Sequence, residues 1–594
     1  MGSFLERARK ALKPYQKLFE RFVFPVALVL YPFIGALQGI DVTDTAYSLG
    51  NYQYMENVDP MWVIATYLPQ MTGRFFMRLP YGDTLAGMNL YCTLPVILTA
   101  LSAYILLQRF LPAWMIFIGV WIAESLCWTP RVILYNYMTY LFFSLGVLLL
   151  IHALTDEKPG KWKFFAAGFC LGMNVTVRMP NVTEALMITA VFFWGKLTRR
   201  SGLRVLKETM LCIGGYFTGF LIPFITICIR FGSYAYAEMI QDLFSMSETA
   251  QDYSIAGMVV TTARAYGRTL GYMTIMIPCM AAGVAMFLLF RDRYVTLKRC
   301  LYVAGILILG RFYFARGVFT LNYWYYDCMF QAAMMWIIVS ILLFLADCTG
   351  FLRASRPERL LSFVSLLMII LLPLGSNNYT FPVLNCLFLI APASLGVFRR
   401  ALRLARLSDY GRQQFVWTSM AFAILALLTV QGTGFHLRYA FRDGMTDGVP
   451  RTARITEIPK LNGMATTAEN AERLTGLYRF LSAEAPEEDT VILFGDIPGI
   501  SYLMDLRPAI FTTWPDLESN ETERLDEALN RLEGTPLVIT HDSDSGYPHA
   551  ERKYNLLLMF MDRVGYETVY NDGYFIVYRH TPDAVGIDGS GEGE

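Results

Sequence analysis

The chain has 594 residues, 55% hydrophobic, 15% aromatic and 17% charged, with a formal net charge of +1. So much apolar surface exceeds what a soluble chain of this length can bury, and a balance near zero excludes a nucleic-acid or acidic partner chosen by bulk charge. All ten cysteines, from Cys92 to Cys386, lie in the apolar part with neither a disulfide framework nor a zinc spacing. The class is a polytopic α-helical membrane protein.

Residues 1–21 are basic and are expected to face the cytoplasm. A span takes roughly 17–25 mainly apolar residues. Thirteen stretches approach that length: 22–40, 86–107, 111–127, 132–154, 164–178, 180–197, 209–231, 269–290, 300–315, 329–346, 360–374, 381–398 and 415–431. Between the first two lies a loop, 41–85. Its stretch "MENVDPMWVIATYLPQMTGRFFMRLPYGD" carries enough apolar and aromatic residues to lie along the membrane surface as short amphipathic helices.

Lysine and arginine gather in alternate connections, as with Arg109, Lys161, Arg199, Arg204, Arg293, Arg356 and Arg400, which marks those connections as cytoplasmic. An odd number of spans then places the loop 41–85 and everything after 431 outside. The outward connections carry Arg74, Arg78, Arg131, Arg178, Arg230, Arg264 and Arg268, with no lysine before Lys460. Guanidinium is the better bidentate partner for phosphate oxygens, so this bias points to a phosphate-bearing ligand, set against the simpler role of anchoring at lipid head groups.

After 431 the pattern turns soluble. Residues 432–467 read as a linker, 468–582 as an extracytoplasmic α/β domain, and 583–594 as a disordered acidic tail. Within the domain, "AENAERLTGLYRFLSA", "ETERLDEALNRL" and "AERKYNLLLMFMDRV" predict helices, and "TVILFGD", "PLVITHD" and "GYFIVYR" predict strands.

The acids that could carry chemistry begin with Asp41 and Asp44 in "GIDVTDTAYSLGNYQY", at the end of the first apolar run. Three residues apart, they share a face on a helix and point oppositely on an extended segment. Glu124 and Glu184, inside apolar runs, are expected to face the bundle interior and pair with an arginine. Glu238, Asp242, Glu248 and Asp252 are spaced as the solvated stripe of a surface helix, and "HDSDSGYPH", 541–549, reads as a loop before it reads as a metal site.

In layout the chain resembles the GT-C superfamily of membrane glycosyltransferases, which includes protein O-mannosyltransferases and aminoarabinose transferases. It shares the basic N-terminus, the acids straight after the first span, the long first loop, about thirteen spans and a C-terminal outer domain. The family's Asp-Glu-Ala-Tyr pattern is matched by Asp44-Thr45-Ala46-Tyr47, with Thr45 in the second acidic position. The resemblance implies a polyprenyl-phosphate-linked sugar as donor and an extracytoplasmic glycan, lipid or protein acceptor. It implies catalysis by Asp44, with Asp41 second, and phosphate binding by arginines, for which Arg178, Arg131, Arg264 and Arg268 are the candidates, with Arg311 and Arg316 beyond them. No metal ligand set is read here; a divalent cation is compatible with the pattern and not required by it. The alternatives are a lipid or polysaccharide transporter of flippase type, and a noncatalytic scaffold.

Overall fold

The computed structural model describes residues 13–127, 131–157, 160–249, 255–289, 293–319, 321, 323, 330–374, 376, 378–407, 414–443, 449–485, 487–541 and 550–581. Expectations that fall on residues 1–12, on Asp252, on 542–549 and on the tail 583–594 lie outside them.

The larger part is a helical bundle. Among the described residues six helices are long and apolar enough to cross a membrane: Leu85–Leu107, Leu134–Thr155, Gly202–Phe231, Ala256–Leu289, Phe330–Thr349 and Gln414–Arg438. The helix Gly202–Phe231 turns Leu206, Met210, Phe217, Leu221, Ile225 and Ile229 outward. A stripe of that kind is stable only against lipid, and the chain is a multi-pass membrane protein.

Of the other seven predicted stretches, 300–315 lies in the unbroken helix Val295–Ala315, which carries Lys298, Arg299 and Arg311, and the rest are helical but shorter or broken. The first is divided among helical turns at Phe19–Val23, Phe24–Leu30 and Tyr31–Phe33, where Pro25 and Pro32 interrupt regular hydrogen bonding. The stretch 180–197 opens as a tight 3-10 helix, Met179–Ile188, before continuing as Thr189–Thr198. The stretch 381–398 is a five-residue helix, Phe381–Asn385, followed by Ile390–Leu407.

The first loop folds into three short helices, Asp44–Gln53, Pro60–Ala65 and Tyr67–Met77. Asp59 starts the second by accepting a hydrogen bond from the Met61 amide at 2.7 Å, the usual service of an acidic N-cap.

The C-terminal region begins with a two-residue pair, β1 (Ala453–Arg454) against β2 (Ala465–Thr466). A five-stranded sheet follows, built from β3 (Thr490–Phe494), β4 (Arg507–Pro508), β5 (Leu537–His541), β6 (Tyr566–Asn571) and β7 (Phe575–His580), in the order β4-β3-β5-β7-β6. β3 runs parallel to β4 and β5, while β7 is antiparallel to β5 and β6. The predicted helices appear as Ala468–Glu484, Thr522–Asn530 and Ala550–Val564.

This region shares a core with the first loop. Ile40, Val42, Ala46, Leu49 and Tyr52 pack in one buried cluster with Val491, Leu493, Ile497, Ile500 and Tyr502. Ile455, Ile458, Leu461 and Met464, within the stretch expected to link the two parts, are buried in the same cluster. Polar contacts reinforce it: Asp59 pairs with Arg524, Tyr502 donates to the Asp83 carbonyl at 2.8 Å, and the Gly499 amide donates to the Val42 carbonyl at 2.8 Å. At Gly499 the approach is so close that a Cβ would sit 2.2 Å from the Cβ of Ala46, so only glycine fits. The segment carrying Asp41 and Asp44 is thereby clamped between the bundle and the sheet.

Candidate functional site

Asp41 and Asp44 sit at the start of the helix Asp44–Gln53 and differ in what their carboxylates do. The Asp41 carboxylate is buried and accepts from the Thr43 amide at 2.9 Å, from the Thr43 hydroxyl, and from the Thr45 amide at 2.8 Å. It closes the helix N-terminus, satisfying amides that have no partner inside the helix. Burial raises the Asp41 carboxyl, and the bonds from Thr43 and Thr45 oppose that rise.

Asp44, the first residue of that helix, lines a cavity of about 1750 Å³. Burial above all, and then the neighbouring Asp41 carboxylate, push its carboxyl up to about 7, with Arg442 pulling the other way. A carboxyl that titrates near neutrality beside a large cavity is suited to exchange a proton with a ligand there.

Three parts of the chain build the cavity wall. The first loop supplies Asp44, Tyr47, Asn51, Trp62 and Gln70; the bundle supplies Arg178 and a run of apolar side chains; the C-terminal region supplies Asp496, Trp514, Asp516 and Glu518. Tyr47 and Trp514 meet edge to face, ring centres 5.6 Å apart, across the seam between loop and sheet.

Arg178 owes its position to a break in the helices. The helix Lys161–Val177 ends, Arg178 takes an extended conformation, and Met179 and Pro180 open the 3-10 turn. Its guanidinium lies over the Tyr135 ring at 5.8 Å. The second arginine of the cavity, Arg442, follows the helix Gln414–Arg438 and packs over Phe441 at 5.6 Å.

The remaining wall is apolar, with Val259, Ile341, Leu345, Leu366, Ile369 and Ile370 among its members. Val259, Leu345 and Ile370 are also exposed, so the apolar side is open. The cavity therefore has one end of carboxylates and guanidinium groups and another suited to a hydrocarbon chain.

Of the arginines singled out in the sequence, the cavity holds Arg178 and does not hold Arg131, Arg264 or Arg268. Arg131 is turned into the protein, where it donates to the Ile34 carbonyl at 2.6 Å, and burial pulls its guanidinium down to about 10. Arg264 and Arg268 lie on the helix Ile255–Leu289, which presents Met258, Val259, Thr262, Ala263 and Tyr266 to the cavity. At roughly 3.6 residues per turn, positions 264 and 268 fall on the opposite face. Glu184 faces the interior as expected, but its partner is the Asn174 side-chain amide at 2.7 Å and not an arginine. The carboxylate of Glu124 is buried with no hydrogen-bond partner among the described residues.

Sequence reasoning missed Arg442, Asp496 and Asp516. A signal existed for Asp496: it follows Gly495 at the carboxyl end of β3, between two parallel neighbours, where open α/β sheets place their ligands. Asp516 is held near the same strand end by the Gly495 amide, and burial pushes its carboxyl up to about 6. Among the described residues no three His, Cys, Asp or Glu side chains gather closely enough to hold a metal ion.

No protein-family profile and no curated protein matches the chain. Among solved structures it is similar to an oligosaccharyltransferase from Archaeoglobus fulgidus, at 12% identity over 95% of this chain and 75% of that one, with a TM-score of 0.47. It is also similar to ArnT from Cupriavidus metallidurans, solved bound to undecaprenyl phosphate, at 10% identity over 95% of this chain and 99% of that one, with a TM-score of 0.40.

Proposed function

We propose that the protein is a membrane glycosyltransferase that moves a sugar from a polyprenyl-phosphate donor to the hydroxyl of an extracytoplasmic acceptor, with inversion at the anomeric carbon. The observation that carries this reading is the makeup of a single cavity: a carboxylate raised to about 7, two arginines, and an open apolar wall. The hydrocarbon chain lies along the apolar side, its phosphate meets Arg178 and Arg442, and the sugar projects toward Asp44. The distribution of lysine and arginine supports a cytoplasmic N-terminus and an outer C-terminal region.

The bond changes are simple. The acceptor oxygen attacks the anomeric carbon from the face opposite the phosphate, its proton passes to Asp44, and the bond from that carbon to the phosphate oxygen breaks. Polyprenyl phosphate leaves with the electron pair and needs no strong general acid, unlike the leaving group of a glycosidase. The arginines stabilise the charge that grows on the phosphate, an effect strengthened where water is excluded.

The test is transfer by purified protein from a polyprenyl-phosphate sugar across pH 5 to 9. Asp44 acts as a base only when ionised, and its carboxyl is raised, so protonation removes activity below about 7. The rate is expected to rise about tenfold per pH unit below that value and to level off above it. A rate independent of pH between 5 and 8 would remove Asp44 from the role of base.

A further inference from the structure

A second cavity, of about 770 Å³, shares no lining residue with the first. It opens where the first and last apolar segments end, between Phe33–Gln38 and Leu437–Ala440, and the stretch around Arg451 closes it. Its charged groups among the described residues are Arg438, Arg451, Arg454 and Asp443.

The single acid is fully engaged. One Asp443 oxygen accepts from the Ile40 amide at 3.0 Å and from the Thr466 hydroxyl, and the other accepts from the Arg451 guanidinium at 2.7 Å. That ion pair and the Arg451 bond to the Arg438 carbonyl at 2.8 Å tie Arg451 into the framework. Arg438 and Arg454 are both exposed, and neither meets a carboxylate within 4 Å among the described residues. Among the described residues, two guanidinium groups thus line one cavity with no acid left to balance them.

The approach to this cavity is greasy. Leu30, Ile34 and Leu37 are exposed at 58%, 45% and 44% and form a stripe rising along the first segment, while Val430 and Leu437 do the same on the last helix at 69% and 40%. Leu37 and Leu437 are themselves part of the cavity wall. Guanidinium groups at the top of a lipid-facing stripe suit a ligand with a phosphate at one end and acyl chains at the other. A free phosphate would leave the apolar half of the cavity unused.

We infer that this cavity binds the phosphate of an anionic phospholipid, held by Arg438 and Arg454, at a site separate from the sugar-transfer cavity and independent of its assignment. The test is native mass spectrometry of the full chain released from phosphatidylcholine nanodiscs with and without phosphatidylglycerol. The parent is expected to retain phosphatidylglycerol. The double variant Arg438→Gln/Arg454→Gln should bind it about 25-fold more weakly, at about fivefold per arginine near an anionic surface. Should the double variant melt lower than the parent in phosphatidylcholine alone, Arg454→Gln by itself is read instead, with a loss of about fivefold. Arg178→Gln, in the first cavity, is expected to leave retention unchanged. Equal retention by the parent and the arginine variants, or an equal loss with Arg178→Gln, would overturn the proposal. Displacement of the bound lipid by millimolar inorganic phosphate would overturn its assignment to a lipid.

Discussion

Asp44→Asn is expected to lower the rate of sugar transfer about 10²- to 10⁴-fold, the contribution of a well-placed general base, with donor binding little changed. Asparagine keeps the size of the side chain and loses only the ability to take a proton. Among the described residues the Asp44 carboxylate makes no hydrogen bond that holds the helix, only its backbone carbonyl accepting from Ser48, so the variant should fold as the parent does. The contrast is Asp41→Ala. Asp41 accepts hydrogen bonds from the Thr43 and Thr45 amides, and removing them costs about 1 kcal/mol of local stability, as for other lost helix caps. Its effect should appear first in the melting temperature and only secondarily in rate. If instead Asp41→Asn abolished transfer while Asp44→Asn did not, the two roles would be exchanged.

The second large effect is expected at the arginines. Arg178→Ala and Arg442→Ala should each lower kcat/KM for the donor by about 10²- to 10³-fold, comparable with removing one preorganised donor from a developing anion. Each should also weaken inhibition by the product, polyprenyl phosphate, since the phosphate is present in both donor and product. Lysine at either place restores charge but not the planar fork, so recovery should be partial. Arg264→Ala and Arg268→Ala, on the far face of their helix, should leave the same constants unchanged. Arg131→Ala should lower the melting temperature and spare donor affinity, because its guanidinium lies outside the cavity and is turned inward onto the Ile34 carbonyl. Inhibition constants measured across this set check the assignment residue by residue.

Legibility of the fold followed the strength of local signals. Long apolar runs without internal proline, such as 132–154 and 415–431, appear as the helices Leu134–Thr155 and Gln414–Arg438 because nothing competes with helix formation there. Stretches with Pro25, Pro32, Pro180 or Pro382 at the start of a turn or helix break into short pieces, whereas Pro223 and Pro278 lie inside the continuous helices Gly202–Phe231 and Ile255–Leu289. In the C-terminal region β3, β5 and β7 stood out as apolar runs, whereas β4 has only two residues and β6, "YETVYN", is too polar to announce itself.

The site was legible where one segment carried its own evidence. Asp44 and Arg178 each lie at a break after an apolar run, where a polar side chain reaches an interface without crossing the core. Arg442, Asp496 and Asp516 are about 400 to 470 residues from Asp44 in the chain, and nothing local says that the sheet would be pressed onto the first loop. That juxtaposition comes from the shared core of Val42, Ala46, Ile497 and Ile500, a tertiary fact with no short-range signature. Arg131 has the look of an interfacial phosphate ligand in sequence and is turned inward onto the Ile34 carbonyl in the structure.

In the proposed reaction one cavity holds the donor, with its phosphate at the arginines and its sugar at Asp44. A structure of the protein in nanodiscs with a nonhydrolysable polyprenyl-phosphonate sugar tests it most directly. The phosphonate is expected within about 3 Å of a guanidinium nitrogen of Arg178 or Arg442. The prenyl chain is expected along the lining residues Ile341, Leu366 and Ile369, and the sugar beside Asp44. A donor analogue seated elsewhere, or seated here with its sugar turned away from Asp44, would contradict it.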